Sequence, residues 1–134
     1  MEEYDFSAVK GQKIAKILFM RRDMDYLRDV KSALEKDFTQ VSFSFSSNRY
    51  IEMNAMGINK GYGISWLCDY LHIDLKDAIA IGDNYNDVPM IKKAGLGCCV
   101  ESSYDDIKRL SDYVCEKDYG EGAVKEVIEK FIEE

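Results

Sequence analysis

The stretch AIAIGDNYNDVPMIKKAG, from Ala78 to Gly95, ends a greasy run at Gly82 and then sets Asp83, Asn84, Asn86 and Asp87 within five residues. Two carboxylates and two amides so close together suit a divalent cation and an anion it helps to hold. Three chemistries compete for them. An EF-hand loop needs oxygen ligands at positions 1, 3 and 5, Gly at 6 and Glu at 12. Counted from Asp83, those positions bring Tyr85, Val88 and Ala94, so that reading fails. A dinucleotide fingerprint needs G-x-G-x-x-G, and Gly61-Tyr62-Gly63 is followed by Trp66 where the third glycine belongs. The third is a cation and phosphate site at the carboxyl end of a parallel strand, where open α/β sheets bind ligands. A carboxylate there is held rigidly, and Mg²⁺ takes one or two such groups plus waters and phosphate oxygens. A plainer alternative stays open: Asn86 or Asp87 simply caps the helix that follows. Upstream, Lys60 in Asn59-Lys60-Gly61 is either a point charge for phosphate or a solvated surface lysine.

The elements that must position these residues come in two textures. Lys13–Met20 reads as a mostly buried strand. Met24, Leu27, Val30, Leu34 and Phe38 recur at helical spacing. Val41–Ser47 alternates strictly, with Val41, Phe43 and Phe45 on one face and serines on the other. Ser47-Asn48 makes a tight turn into a hairpin partner over Arg49–Ala55. Beyond Gly57–Asn59, helices alternate with short apolar strands. Ile64, Leu67, Cys68 and Leu71 mark a helix; Ala78–Ile81, Leu96–Val100 and Tyr113–Cys115 are strands. Pro89 sits in the first turn of a helix whose C′ position suits Gly95. Ser103–Leu110 is helical with Ser102 or Ser103 as cap, and Ala123–Ile132 closes the chain with Val124, Val127, Ile128 and Phe131 on one face. Such alternation implies an α/β fold with a parallel sheet.

Composition sets the outer limits. The chain has 134 residues, 46% of them hydrophobic, enough for one domain with a core. A net charge of -7 argues against a nucleic-acid surface and suits a chain that holds a divalent cation. No apolar run nears the roughly 20 residues that span a bilayer, and MEEYDFSAVKGQ has no signal-peptide core. The expected location is cytoplasmic. Cys68, Cys98, Cys99 and Cys115 form no C-x-x-C pair, so buried, reduced thiols are expected and a zinc site is not.

Taken together, YIEMNAMGINKG, an amphipathic helix, DAIAIGDNYNDVPMIKKAG and YGEGAVKEVIEKFI resemble the haloacid dehalogenase superfamily, and most of all its Cof-type sugar-phosphate phosphatases. The resemblance covers nearly the whole chain. It implies a Rossmann-like core beside an α+β cap, with residues 1–57 matching the end of the cap and 58–134 the second half of the core. It implies Asp83 as a Mg²⁺ ligand, Asp87 supporting that site through water or a second contact, and Lys60 and Asn86 on the phosphoryl group of a small phosphorylated metabolite. In the family one aspartate attacks phosphorus, and a second, two residues on, serves as acid and then base.

The nucleophile block of that family, D-x-D-G-[ST], does not occur in these residues. The one D-x-D is Asp23-Met24-Asp25, separated from the apolar ILFM by two arginines and followed by Tyr26-Leu27. Met24 and Leu27 fit a helical stripe that Asp23 or Asp25 would cap. The sequence therefore predicts a C-terminal portion of a phosphatase with no turnover of its own, and an exposed sheet edge beside Ala78–Ile81 through which it self-associates. Two alternatives stand beside it. One is a complete capless phosphatase using Asp23, Asp25, Ser46 or Ser47, Lys60 and Asp83. The other is a non-enzymatic binding module. Tyr85 is placed to shape the site's entrance, and His72 to meet the C-terminus of its helix.

Overall fold

The strict alternation after Val41 does build a hairpin. In the computed structural model, which describes residues 7–133, β2 (Val41–Ser46) and β3 (Tyr50–Ala55) pair antiparallel. Ser47 and Asn48 both adopt left-handed φ, 50° and 49°, and the Arg49 N–H closes the turn on the Ser46 carbonyl at 3.2 Å. Two consecutive positive φ angles at the centre of the three-residue connection, residues 47–49, match the twist of the flanking strands. β1 (Ile17–Met20) adds to the other side of β3, giving the order β1-β3-β2. Helix α1 (Met24–Asp37) covers β2 and β3, and Leu27 and Ile51 are fully buried.

β1 corrects the expectation of a mostly buried strand from Lys13. It begins at Ile17, and all four of its residues are exposed, Leu18 and Met20 at 57% each. Among the described residues β1 is an outer strand, paired on one side only, while α1 lies against β2 and β3. Apolarity alone could not reveal that. The serine face of β2 is half-buried like the rest of the strand. The register sets Ser42 opposite Asn54 and Ser44 opposite Glu52, and this polar face lines a cleft instead of open water.

The second layer is a parallel sheet, β4-β5-β6, built from Ile79–Gly82, Leu96–Cys99 and Tyr113–Val114. Cys98, Val100 and Cys115 pack against Ala123 and Val127 of α5 (Ala123–Phe131); Ile91, Cys99 and Ile107 form a second cluster. All four cysteines are free and buried. Burial, helped by neighbouring acidic groups, pushes the Cys98 thiol up to about 12, so it stays protonated and behaves as a small hydrophobe.

Four local expectations change. In α2 (Lys60–Leu71) only Cys68 of the expected stripe is buried; Leu67 and Leu71 are exposed, as are Val124, Ile128 and Phe131 of α5. A sheet of three strands is too narrow to cover both stripes. Helix α3 (Val88–Ile91) ends well before Gly95, which is needed for space instead: a Cβ there would stand 1.8 Å from the Lys76 carbonyl oxygen. Helix α4 is only Asp105–Lys108, with Tyr104 at its N-cap and no side-chain cap. Ser102 instead donates to Asp118, and the chain leaves the helix early so that the Asp112 N–H can reach the Gly97 carbonyl at 2.8 Å. His72 closes α2 through its backbone, in a left-handed conformation with its N–H on the Asp69 and Cys68 carbonyls. Residues 1–6, part of the segment read above for a signal peptide, and Glu134 lie outside the described residues. Among those described, no helix is long and apolar enough to cross a membrane.

Candidate active site

Strand β4 stops at Gly82, and Asp83 follows directly at the carboxyl edge of the parallel sheet. The loop then turns around one side chain. Asp87 is 2% exposed. Its Oδ2 accepts the backbone N–H groups of Asp83, at 3.0 Å, and Asn84, at 3.2 Å. Its Oδ1 takes the ammonium of Lys60. Asp87 does occupy the N-cap position of α3, yet its side chain makes no cap hydrogen bond. The carboxylate is turned back to organise the loop, so capping does not explain it. The turn is tight enough to need Gly82: an added Cβ would lie 2.3 Å from the Asp87 Cβ. Gly82→Ala is expected to destabilise the fold by about 1–3 kcal/mol, the usual cost of overpacking, measured by urea denaturation.

Lys60 is aimed by its own helix. It is the first residue of α2, whose N-cap Asn59 accepts the Tyr62 N–H at 3.0 Å. Its side chain remains 49% exposed while Asp87 is covered. An ammonium has three donors, so the contact with Asp87 leaves others free for an anion.

The two carboxylates are driven apart. Burial would raise the Asp87 carboxyl, but the Lys60 ammonium and the amides of Asp83 and Asn84 hold it below its ordinary value. Burial and the neighbouring Asp87 raise Asp83, only partly offset by Lys60. Among the described residues Asp83 forms no ion pair, and no group of three or more His, Cys, Asp or Glu gathers to hold a metal. As a test of Mg²⁺, Asp83 fits as one hard oxygen donor whose charge a cation would relieve. Asp87 is covered and has partners on both oxygens, so Asp83 is the better placed of the two for direct ligation.

Asn86 lines two clefts, of about 430 and 480 Å³, between the loop and the hairpin sheet. Tyr85 lines both as well, stacked on Tyr104 at 5.1 Å between ring centroids, with its hydroxyl 3.3 Å from Asp106. Asp23 and Asp25 line neither cleft. Asp23 caps α1, accepting the Tyr26 N–H at 3.0 Å, and Asp25 pairs with Arg28 at 2.5 Å on the surface. Ser46 does line the larger cleft. Sequence reasoning missed Lys16 and Glu52, an ion pair at 2.6 Å that lines the smaller cleft with Lys60 and Asn86. The one available signal was strand register, which sets Glu52 opposite Ser44.

A parallel sheet with a carboxylate at its edge, a buried aspartate behind it and a lysine from the preceding helix belongs to a known class. The model of haloacid dehalogenase-like hydrolases matches residues 2–128, and the chain belongs to that family. It is 44% identical over 75 residues to a phosphoglycolate phosphatase of Methanobrevibacter smithii, covering 56% of this chain and 32% of that protein. It is 32% identical over 105 residues to the 5-amino-6-(5-phospho-D-ribitylamino)uracil phosphatase YcsE of Bacillus subtilis, covering 78% and 42%. A solved haloacid dehalogenase-like hydrolase from Bacteroides thetaiotaomicron superposes with TM-score 0.78 at 30% identity, over 97% of this chain and 48% of the other. The fold is shared with a subclass IIB sugar phosphatase, TM-score 0.79 at 17% identity over 96% and 47%. The chain thus spans less than half the length of each of these proteins.

Proposed function

We propose that this chain provides the metal- and phosphate-binding half of a Mg²⁺-dependent phosphatase acting on a small phosphorylated metabolite. Residues 58–134 form the second half of the catalytic core, and residues 1–57 the end of its cap. The observation that carries the reading is the Asp83–Lys60–Asp87 arrangement: a buried aspartate ties a lysine to the loop at the sheet edge and leaves Asp83 outward. Lys60 and Asn86 hold the phosphoryl oxygens, the lysine by charge and the amide by hydrogen bonds, which it makes with no protein group among the described residues. Asp83 ligates the cation, and Asp87 fixes both Asp83 and Lys60. Mg²⁺, when bound, supplies charge neutralisation at those oxygens. The named phosphatase relatives, which differ in substrate, support the class of substrate without selecting a member.

Since D-x-D-G-[ST] does not occur in the 134 residues, the chain binds phosphate without hydrolysing an ester. The test is calorimetric titration with inorganic phosphate, with and without Mg²⁺. Saturable binding that requires Mg²⁺ supports the reading; no binding in either condition refutes it.

Partner contact follows from the sheet order. Among the described residues β4 is an outer strand, with β5 on one side only. Its free edge is a template for pairing, and self-association through it is expected. Light scattering over micromolar concentrations checks this: a mass that rises with concentration is expected, and a constant monomer mass would count against it.

A further inference from the structure

Among the described residues each sheet has a free outer strand in β1 and β4, and the two edges differ in charge. Ala78–Gly82 carries no charged residue, so nothing there opposes pairing with a like strand. Around β1, by contrast, the run from Lys13 to Arg22 holds four basic residues and no acidic one, in a chain of net charge -7. Ile17, Leu18, Phe19 and Met20 are all exposed, so both faces of the strand are open. Beyond Met20, the Arg21 N–H donates to the Arg49 carbonyl at 2.9 Å, which sets the two arginines opposite each other. Like charges directly opposite destabilise a sheet. Yet Lys13, Arg21, Arg22 and Arg49 form no ion pair among the described residues. Arg21 lies over the Tyr26 ring and Arg49 over Tyr50, contacts that leave guanidinium N–H groups free for a carboxylate. The Arg21–Arg49 bond also fixes which backbone groups are spare. Hydrogen-bonded pairs alternate along antiparallel strands, so Ile17 and Phe19 face β3, and the N–H and C=O of Leu18 and Met20 point out of the sheet.

We propose that β1 is a docking edge for an extended protein segment whose apolar centre is flanked by Asp or Glu, added to the hairpin sheet as a further strand. Main-chain bonds to Leu18 and Met20 supply the attachment, and the partner's apolar centre covers ILFM. The flanking charges choose the partner. A second copy of β1 is the wrong occupant. An antiparallel pair centred on Leu18 and Phe19 sets the Lys16 of each copy opposite the Arg21 of the other. Charge on an outer strand is how a sheet refuses such pairing, and the same charge attracts carboxylates. Lys16 is partly neutralised by Glu52 at 2.6 Å, so the stronger attraction lies at the Arg21, Arg22 and Arg49 end. The inference goes beyond the phosphate reading and uses neither phosphate nor metal.

The test is fluorescence anisotropy of two labelled peptides titrated with the 134-residue chain. One is acidic, Asp-Glu-Val-Ile-Val-Ile-Glu-Asp; the other keeps the centre and carries Lys and Arg in place of the acids. The acidic peptide is expected to bind saturably and the basic one at least about tenfold more weakly. That preference should shrink as salt rises from about 0.05 M to about 0.5 M, because exposed charges are screened. Leu18→Pro removes an N–H that points away from β3, a place where outer strands tolerate proline. It is expected to abolish binding with the far-ultraviolet circular dichroism unchanged. Arg21→Glu combined with Arg22→Glu, both exposed, should erase the preference between the peptides, and it decides the matter even where Leu18→Pro fails to fold. Equal binding of the two peptides, no binding of either, or binding that survives Leu18→Pro in a folded chain would overturn the proposal. So would a mass, for the chain alone, that rises with concentration and returns to monomer in Leu18→Pro, since that result gives the edge to a second copy.

Discussion

Lys60→Met is expected to do two kinds of damage at once. Asp87 would keep its amide donors but lose the Lys60 ammonium, leaving a covered carboxylate short of one partner. Breaking a fully buried pair costs about 3–5 kcal/mol. Lys60 is half exposed, so water replaces part of its contribution, and a loss of about 2 kcal/mol in chemical denaturation is the fitting expectation. Phosphate affinity is expected to fall at least about tenfold in the same variant. The two effects separate by a second substitution. Asp87→Asn added to Lys60→Met removes the stranded charge, so it should restore part of the stability and none of the phosphate affinity. Phosphate binding unchanged by Lys60→Met would remove the lysine from the site.

The second large effect has opposite signs in two conditions. Asp83 bears a raised carboxyl, through burial and the charge of Asp87. Asp83→Asn removes that repulsion, so without metal the variant is expected to be slightly more stable, by about 0.5 kcal/mol, as befits a surface charge interaction. Mg²⁺ stabilises whatever folded form binds it, by mass action. The native chain is therefore expected to melt at a higher temperature as Mg²⁺ is added, and Asp83→Asn to show no such rise. Thermal unfolding across a Mg²⁺ series measures both. A variant that loses stability without metal, or keeps the Mg²⁺ response, would contradict the role given to Asp83.

The site was legible where its logic is local. Gly82-Asp83 follows a short apolar run, and Asn59-Lys60-Gly61 opens a helix; both patterns survive folding because they depend on neighbours along the chain. The role of Asp87 was half legible. Its place near the helix start was clear, but its partners include a lysine 27 positions away, and spacing cannot report that contact. Lys16 and Glu52 were invisible for the same reason: 36 positions separate them, and only the pairing of Leu18 with Glu52 and of Glu52 with Ser44 brings them to one cleft. Burial was the weakest inference. ILFM reads as a core strand, and the stripes of α2 and α5 read as core faces, because apolarity records what a residue tolerates. What actually covers it depends on strand order. The decoy Asp23-Met24-Asp25 was correctly read as a helix start, since a capping aspartate leaves a signature in the apolar stripe that follows.

On the proposed function these residues bind phosphate and metal without carrying the group that attacks phosphorus. Hydrolysis of p-nitrophenyl phosphate by the purified chain, with saturating Mg²⁺, tests it most directly. The expected result is no turnover above that of the Lys60→Met variant. Mg²⁺-dependent turnover that disappears in Asp23→Asn or Asp25→Asn would contradict the account and make the capless enzyme the correct reading.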